Sequence, residues 1–462
     1  MALGLPRIVT GARRGLLAAL ALAPALLAPS IAGAQSLIRD TEVEEILRKQ
    51  ADPIFTAAGL EATDVKILLV NDKELNAFAT QGQIIGLHTG MILETDTPNE
   101  LNGVIAHEAG HLSGGHTARS GEMMRAGMRP MLLTMGLGLL AAFAGEPGGA
   151  AALMASSQQF GMIDVLKHSR GQEGSADQAA LGFLDRAGHS GRGLVTFFEN
   201  FRYQEVFSEG RRYKYFRSHP LSSDRIAALE SKATRLGNYD KVDPPEALAA
   251  HAVMQAKLDA FLSPPAQSFV KYKEKDSAFP ARYARAIAYY RNSEPDRALK
   301  AIDALLLDQP NNPYLHELKG QVLFENGRVA ESEAPHRRSV ELKPDAPLLR
   351  VNLGRTLVAL DDPKRTDEAV GELTRVAADD PEMYEAWRLL AQAYDRKGEP
   401  GRARLASAEA HFALEDLKQA KIFAMRAREQ LTRDTPQWRR ATDIVLASDP
   451  NDRDLRDIAR GS

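Results

Sequence analysis

The chain has 462 residues, too many for one hydrophobic core, so we expect two or three domains. Its 58 basic and 61 acidic residues give a net charge of −3, and no basic excess indicates nucleic-acid binding. Cysteine is absent, which excludes disulfides, lipid-modified cysteines and thiolate metal ligands.

The N-terminus has the three parts of a signal peptide. Three basic residues come first: Arg7, Arg13 and Arg14. An apolar stretch to Leu27 follows, and Ala32-Gly33-Ala34 offers a cleavage site. We therefore predict a signal peptide over residues 1–34. An uncleaved anchor is the alternative, but Pro24 and the shortness of the apolar stretch argue against it.

Hydrophobic periodicity predicts an α+β domain after the signal peptide. Residues 40–58 form an amphipathic helix, and residues 66–70 read as a buried strand. Residues 76–79 and 83–88 are predicted as two further strands on either side of a glycine.

His107-Glu108-Ala109-Gly110-His111 matches the pattern H-E-x-x-H. Thr97 as N-cap, Pro98 at the first helical position and Glu100 as the end of a capping box place the motif inside a helix. Histidines four residues apart share a face and can reach one metal ion, and Glu108 is then placed to take a proton from a metal-bound water. A helix with two surface histidines is the alternative.

Residues 131–162 contain two apolar runs separated by a Pro-Gly break. Each run is shorter than the roughly 20 residues that span a bilayer. They could make peripheral contact with a membrane, cover the active site or form two core helices. We favour a mobile apolar lid.

Glu173 and Asp177 are candidates for a third ligand, on a helix predicted from Glu173 to near Gly188. Because they are four residues apart, one carboxylate can bind the metal while the other accepts a hydrogen bond from a ligating histidine. A solvated acidic face is the alternative.

Two other histidines have supporting context. His116 is one residue short of the third histidine in H-E-x-x-H-x-x-G-x-x-H, and on a continuing helix it would point about 180° from His107, so we predict a structural or exposed residue. His219 is held extended by Pro220 and could occupy the open position of the metal or stabilise an oxyanion. An ordinary loop histidine is the alternative for His219.

The C-terminal part of the chain is repetitive. Pro264-Pro265 indicates a linker, predicted over residues 263–278. Beyond it, prolines recur near the period of about 34 residues that is typical of tetratricopeptide repeats. The repeats superpose four small residues: Ala286, Gly320, Gly354 and Ala391. Extra residues in the third repeat are predicted between its helices, near Pro363. Stacked helix pairs form a concave surface suited to a protein segment.

The H-E-A-G-H motif, the stretch from Ser169 to Asp177 and the stretch from His219 to Ile226 together resemble the zinc peptidases that include HtpX and the Ste-type CAAX protease. The layout, with a signal peptide in front and repeats behind, is most similar to BepA-type periplasmic proteases. This resemblance implies the periplasm of a Gram-negative bacterium, reached after cleavage near Ala34.

The resemblance also implies a site. One zinc per chain would be bound by His107, His111 and Glu173, with Glu108 as general base and Asp177 behind a ligating histidine. His219 is a further catalytic candidate. The strand containing Asn76, Ala77 and Phe78 resembles the family's edge strand above the zinc, where a peptide could add as an extra strand. An ordinary sheet strand is an equal alternative.

The predicted fold class is a zincin-like α+β catalytic domain of the Glu-zincin type, residues 35–262, followed by an all-α tetratricopeptide-repeat solenoid, residues 279–462. Our leading hypothesis is an endopeptidase that hydrolyses misfolded or stalled envelope and outer-membrane proteins. Its repeats would bind polypeptide clients or the outer-membrane assembly machinery. The alternative is a chaperone-like assembly factor with a zinc site that is mostly closed.

Overall fold

A computed structural model of the chain describes residues 36–117, 170–452 and 454–456. A small sheet with several helices comes first, and helix pairs follow towards the C-terminus, which confirms the predicted order of an α+β domain and an all-α region. The predicted signal peptide, residues 1–34, and the apolar residues 131–162 lie outside the described residues. No helix in the described part of the chain is long and apolar enough to span a bilayer.

The sheet has four short strands: β1 Leu37–Ile38, β2 Lys66–Val70, β3 Ala77–Thr80 and β4 Ile84–His88. Their order is β1-β2-β4-β3, with β2 and β4 parallel and the other neighbours antiparallel. β2 agrees with its prediction, and β3 and β4 each begin one residue later than predicted. For β4 the reason is a turn at Gly82 and Gln83, with φ of 81° and 55°. β1 has no predicted counterpart, since two residues carry no periodicity. Among the described strands, β1 and β3 are the edges of the sheet.

The helices of the N-terminal domain are α1 Thr41–Ala57, α2 Thr89–Glu94, α3 Pro98–Ser113, α4 over residues 170–186, α5 Arg192–Asn200, α6 Lys214–Ser218, α7 Ser223–Ala233 and α8 Pro245–Leu262. They share one apolar core with the sheet, to which Leu47, Leu69, Ile105 and Phe197 contribute fully buried side chains. Each such side chain stabilises the fold by about 1.5–3 kcal/mol. This core holds α3 against β3 and β4.

The C-terminal region consists of α9 Pro265–Lys271, α10 Phe279–Arg291, α11 Pro295–Asp308, α12 Pro313–Glu325, α13 Val329–Leu342, α14 Pro347–Ala359, α15 Pro363–Asp379, α16 Tyr384–Arg396, α17 Pro400–Ala413, α18 Leu417–Arg428 and α19 Pro436–Ala447. Glycines let paired helices approach closely. A Cβ atom on Gly320 would lie 2.2 Å from the ring of His336, and one on Gly354 would lie 2.7 Å from the side chain of Leu373. Both contacts cross within one helix pair, as the repeat pattern predicts.

The third repeat places its extra residues in a helix. α15 has 17 residues, whereas α11, α13 and α17 each have 14. The loop before α15, residues 360–362, is no longer than those of the other repeats. The predicted insertion between the helices is therefore wrong. Pro363 begins α15, where its missing N–H costs no hydrogen bond.

α8 joins the two parts of the chain. Its Met254 and Leu258 are buried in the core of the N-terminal domain, and its Ala256 and Ala260 in the core of the first repeat. The residues predicted as a linker, 263–278, contain the helix α9, because Pro265 occupies a first helical position rather than ending regular structure. The predicted boundary at residue 262 therefore coincides with the end of a shared helix.

Candidate metal centre

The H-E-x-x-H motif lies in α3, which begins much as predicted. The hydroxyl of Thr97 accepts a hydrogen bond from the backbone N–H of Glu100 at 3.2 Å, and Pro98 is the first helical residue. The carboxylate of Glu100 accepts from the N–H of Asp96 at 2.8 Å, one residue before the position of an ideal capping box. These contacts fix the start of the helix about two turns before His107.

α4 crosses α3 at Gly110. A Cβ atom there would lie 2.9 Å from the carbonyl oxygen of Ala176, so only glycine permits this approach. α4 already runs at residue 170, before its predicted start at Glu173. The crossing presents Glu173 and Asp177 to the two histidines of the motif.

His107, His111, Glu173 and His219 form one cluster whose potential ligand atoms all lie within 4.8 Å of one another. Nε2 of His107 lies 3.1 Å from Nε2 of His111, 3.3 Å from Nδ1 of His219 and 3.4 Å from Oε2 of Glu173. All four side chains are buried. His219 reaches the cluster from the end of α6, where its N–H donates to the carbonyl of Tyr215 at 2.8 Å.

Each histidine of the motif has a partner for its other ring nitrogen. Nδ1 of His107 lies 3.0 Å from Oδ1 of Asp177, as predicted for a carboxylate behind a ligating histidine. Nδ1 of His111 lies 3.0 Å from Nδ1 of His116. The expected helical position of His116 is wrong. α3 ends at Ser113, and Gly115 then turns the chain back with a φ of 65°. The prediction of a structural residue fits this contact.

Arg225 neutralises part of the negative charge behind the cluster. Its guanidinium donates to Oδ1 of Asp177 at 2.9 Å and lies 3.0 Å from Oε2 of Glu173. The side chain is 9% exposed, and its guanidinium carbon lies 4.9 Å from the centre of the Phe198 ring. Arg225, in the first turn of α7, therefore holds Glu173 and Asp177 of α4 in place.

The electrostatics of the cluster favour a cation. Burial lowers the pKa of His107, but Asp177 and Glu173 outweigh it and raise this pKa to about 9. Burial and the neighbouring His107 lower the pKa of His111 to about 2. Burial raises the pKa of Glu173, but His219 and His107 bring it well below its ordinary value. The carboxylates thus attract positive charge to a site that a divalent ion could fill.

The donor set fits a metal ion in both chemistry and spacing. Donors held about 2.0–2.1 Å from a tetrahedral ion lie about 3.3 Å from one another. This value is close to the separations of 3.1, 3.3 and 3.4 Å between Nε2 of His107 and the other three donors. Imidazole nitrogens and a carboxylate oxygen are suitable ligands. Glu108 is completely buried, and neither of its carboxylate oxygens has a hydrogen-bond partner among the described residues. A buried carboxylate is normally hydrogen-bonded, which indicates that this site holds a further group.

The predicted edge strand lies beside this site. β3 is an edge of the sheet and packs against α3. Ala77 is buried, and the ring of Phe78 covers Gly86, where a Cβ atom would lie 2.3 Å from it. Nδ2 of Asn76 lies 3.2 Å from Nε2 of His88, so this amide is engaged within the domain.

Sequence reasoning did not assign Arg225 or Tyr215 to the site. Arg225 carried two signals. It lies in the stretch from His219 to Ile226 on which the family resemblance rests, and a cation in the first turn of a helix is unfavourable unless an anion pairs with it. The fully buried ring of Tyr215 lies 4.7 Å from that of His219, and its hydroxyl has no partner among the described residues. No local pattern in the sequence distinguishes Tyr215 from an ordinary core residue.

Replacing Arg225 with alanine should destabilise the N-terminal domain strongly. Asp177 and Glu173 would lose the guanidinium that pairs with both of them, and removing one partner of a buried ion pair costs about 3 kcal/mol or more. Urea denaturation of the metal-free protein measures this loss without a contribution from metal binding. Arg192→Ala, which removes a half-exposed arginine paired with the exposed Asp240 in the same domain, should change the free energy of unfolding much less. Equal effects of the two changes would contradict the role assigned to Arg225.

Comparison with known proteins identifies the domains. Residues 38–233 match the model of peptidase family M48, and residues 283–347 and 352–420 match a tetratricopeptide-repeat model. The chain carries an M48 peptidase domain followed by tetratricopeptide repeats. The M48 match includes every residue of the cluster.

The relatives of the chain include proteases, and two of these matches are long enough to reach from the N-terminal domain into the repeats. The beta-barrel assembly-enhancing protease of Escherichia coli K12 is 25% identical over 369 residues, 78% of this chain and 74% of that protein. The protein of that name from Yersinia pestis is 24% identical over the same shares. Metalloprotease LoiP of Escherichia coli K12 is 32% identical over 168 residues, 36% of this chain and 61% of that protein.

These matches make the chain a metalloprotease, and they bear out the predicted enzyme class. The buried cluster of His107, His111, Glu173 and His219 is the group of described residues that could hold its metal ion.

Proposed function

We propose that this protein is a zinc-dependent endopeptidase of the periplasm that hydrolyses misfolded or stalled envelope and outer-membrane proteins. The observation that carries the proposal is the convergence of His107, His111 and Glu173 beside Glu108, a buried carboxylate without a hydrogen-bond partner among the described residues. Two imidazoles and one carboxylate form a ligand set used by catalytic zinc sites.

The residues of the site would have separate roles in peptide hydrolysis. His107, His111 and Glu173 would hold the zinc, which when bound polarises the scissile carbonyl and makes water more acidic. Glu108 accepts a proton from the attacking water and then delivers it to the leaving amine. Neither of its oxygens has a hydrogen-bond partner among the described residues, and Oε1 lies 3.6 Å from Nε2 of His219.

A second set of residues keeps these groups in position. Asp177 orients the ring of His107, and His116 orients that of His111. Arg225 holds Asp177 and Glu173 in place. Fixed side chains of this kind reduce the reorganisation needed during reaction.

Substrate would bind as an extended strand along β3. In the described part of the chain β3 pairs with β4 alone and packs against α3, which supports this proposal. Pairing with a strand edge uses backbone groups, so it accepts many sequences. Selection among clients must then come from elsewhere, and the repeats offer a concave surface for it.

The cellular role follows from the relatives and from the predicted signal peptide. Two of the relatives are named for enhancing beta-barrel assembly, and they share both parts of the chain. We therefore place the protein in the periplasm of a Gram-negative bacterium, with the outer-membrane assembly machinery or its stalled clients as partners of the repeats.

The basic test is metal-dependent cleavage of an unfolded protein. The purified mature chain should contain one zinc and cleave casein, lose activity after treatment with a chelator, and regain it when zinc is added back. Magnesium should not restore activity, because it prefers oxygen ligands in octahedral geometry. Casein cleavage that persists in the zinc-free protein would contradict the proposal.

A chaperone-like assembly factor remains the second candidate, and His219 favours it. Nδ1 of His219 lies 3.1 Å from Glu173 and 3.3 Å from His107, the spacing of a fourth ligand rather than of a distant loop residue. With four protein ligands the zinc would have no open position, and proteolysis would be rare.

Replacing His219 with alanine should therefore raise the basal rate of casein cleavage, because it opens the fourth position. Zinc content, measured in parallel, should stay at one per chain. His316→Ala, in the repeats and far from the site in sequence, should leave the rate unchanged. A slower reaction with zinc retained would instead indicate oxyanion stabilisation, and an unchanged rate would return His219 to a structural role.

A further inference from the structure

A cavity of about 740 Å³ lies between the N-terminal domain and the repeats. β1 and the start of α1 line one side, α8 lies at the base, and α12, α14 and α16 line the other side. Its volume is within the range of about 300–1,000 Å³ that is common for ligand sites. It is separate from the metal centre, since no residue of the donor cluster lines it.

The base of the cavity combines apolar walls with a buried ion cluster. Val43, Leu258 and Leu318 are buried apolar residues there. Nζ of Lys257 lies 2.8 Å from Asp40 and 3.1 Å from Glu42. The single cation of this cluster is therefore already shared by two carboxylates.

Glu317 adds a third carboxylate to the same wall. Oε1 of Glu317 accepts a hydrogen bond from Nδ2 of Asn352 at 2.9 Å. Among the described residues, no lysine, arginine or histidine lies within ion-pair distance of it. Burial raises the pKa of Glu317; Lys257 lowers it, and Asp40 and Glu42 raise it further. The cavity thus contains a carboxyl group that lacks a cationic partner of its own.

The charged residues at the rim are already paired. Arg39 lies 2.8 Å from Glu44, Glu382 lies 2.9 Å from Lys66, and Arg355 lies 3.2 Å from Glu385. These pairs are largely or partly exposed, so they contribute little attraction for a ligand. Glu317 therefore differs from the rim residues, because its carboxyl group has no ion-pair partner among the described residues.

We propose that this cavity binds an extended polypeptide segment in which a lysine or arginine lies among apolar residues, with the cation pairing with Glu317. The proposal rests on the proposed function, because the segment would belong to a client of the peptidase. Apolar neighbours of the cation would pack on Leu258, Leu318 and Met383.

The edge strand β1 explains why the segment is extended. Among the residues that the structure describes, β1 pairs with β2 alone, and Leu37 and Ile38 line the cavity. An extended chain can form backbone hydrogen bonds with such an edge, whereas a helix has no free backbone groups to offer. Backbone pairing at β1 and the ion pair at Glu317 would act together.

Binding of labelled peptides tests the proposal. The full mature chain with Glu108→Gln, which prevents cleavage, is titrated against a fluorescein-labelled apolar heptapeptide with lysine at its centre. A matched peptide with norleucine at that position removes only the charge. The lysine peptide should bind about tenfold more tightly, because its ammonium group gains a charge-assisted hydrogen bond to Glu317 that norleucine cannot form.

Adding Glu317→Gln should abolish this preference while the norleucine peptide binds as before. The amide can still accept the hydrogen bond of Asn352, so the change removes charge with little change in shape. Glu382→Gln is the matched control, because this carboxylate lines the same cavity but is 74% exposed and paired with Lys66. It should preserve the preference.

Three results would overturn the proposal: equal binding of the two peptides, no binding of either, or a lysine preference that survives Glu317→Gln. Equal binding would indicate a neutral apolar occupant. Casein cleavage by the unsubstituted enzyme is measured separately. A failed peptide result with intact cleavage would therefore leave the proposed peptidase function standing.

Discussion

Replacing Glu108 with glutamine should abolish cleavage of casein while zinc content and the melting temperature stay unchanged. The amide preserves the shape of a fully buried side chain, but it cannot accept the proton of the attacking water. A positioned general base contributes about 10²–10⁴-fold to a rate, so we expect a loss of at least about a hundredfold. The measurement is the initial rate of casein cleavage together with the zinc content.

Glu100→Gln provides a matched control on the same helix. Glu100 is also buried, and its replacement keeps an oxygen that can accept from the N–H of Asp96. This variant should retain nearly all activity. Undiminished cleavage by the Glu108 variant would mean that another residue is the base or that a contaminating protease is present.

Replacing His111 with alanine should remove metal and metal-dependent stability together. Changes behind a ligand typically cost 10–100-fold in affinity, so loss of a ligand itself should exceed about a hundredfold. Because a metal that binds only the folded state stabilises it, a chelator should lower the melting temperature of the unsubstituted protein. It should have no such effect on the His111 variant.

The His316→Ala variant is again the appropriate control. His316 lies in α12, where its ring contacts the carbonyl of Pro310 at 2.9 Å, and the variant should respond to the chelator as the unsubstituted protein does. Full zinc occupancy in the His111 variant would refute the ligand assignment.

Local patterns were sufficient for much of the fold and for the centre of the site. The spacing of His107 and His111, the cap at Thr97 and the period of the repeats each depend on residues within one or two helical turns or one repeat. The spacing of Glu173 and Asp177 is local as well. Once α4 lies beside α3, this spacing lets Asp177 approach His107 while Glu173 faces the other donors. These features were therefore accessible from the sequence.

Features that depend on chain reversal or long-range contact were not accessible. The ring of His116 contacts that of His111 because Gly115 has a positive φ and reverses the chain. The expectation that the helix continues does not include this reversal. Arg225 meets Asp177 across 48 positions of sequence. The same limit explains the linker, since the Pro-Pro pair predicts a break but does not reveal that α9 begins there.

The helix α8, buried on one side in the peptidase core and on the other in the first repeat, has a consequence for how the molecule opens. Repeat arrays behave as chains of neighbouring units that fray from their ends. Here the first unit is fused to a larger cooperative core, so fraying in the described part of the array starts at α19 and moves inward. Amide hydrogens of the proximal repeats would then exchange with solvent as slowly as those of the peptidase core. Amide hydrogens of the distal repeats would exchange much earlier.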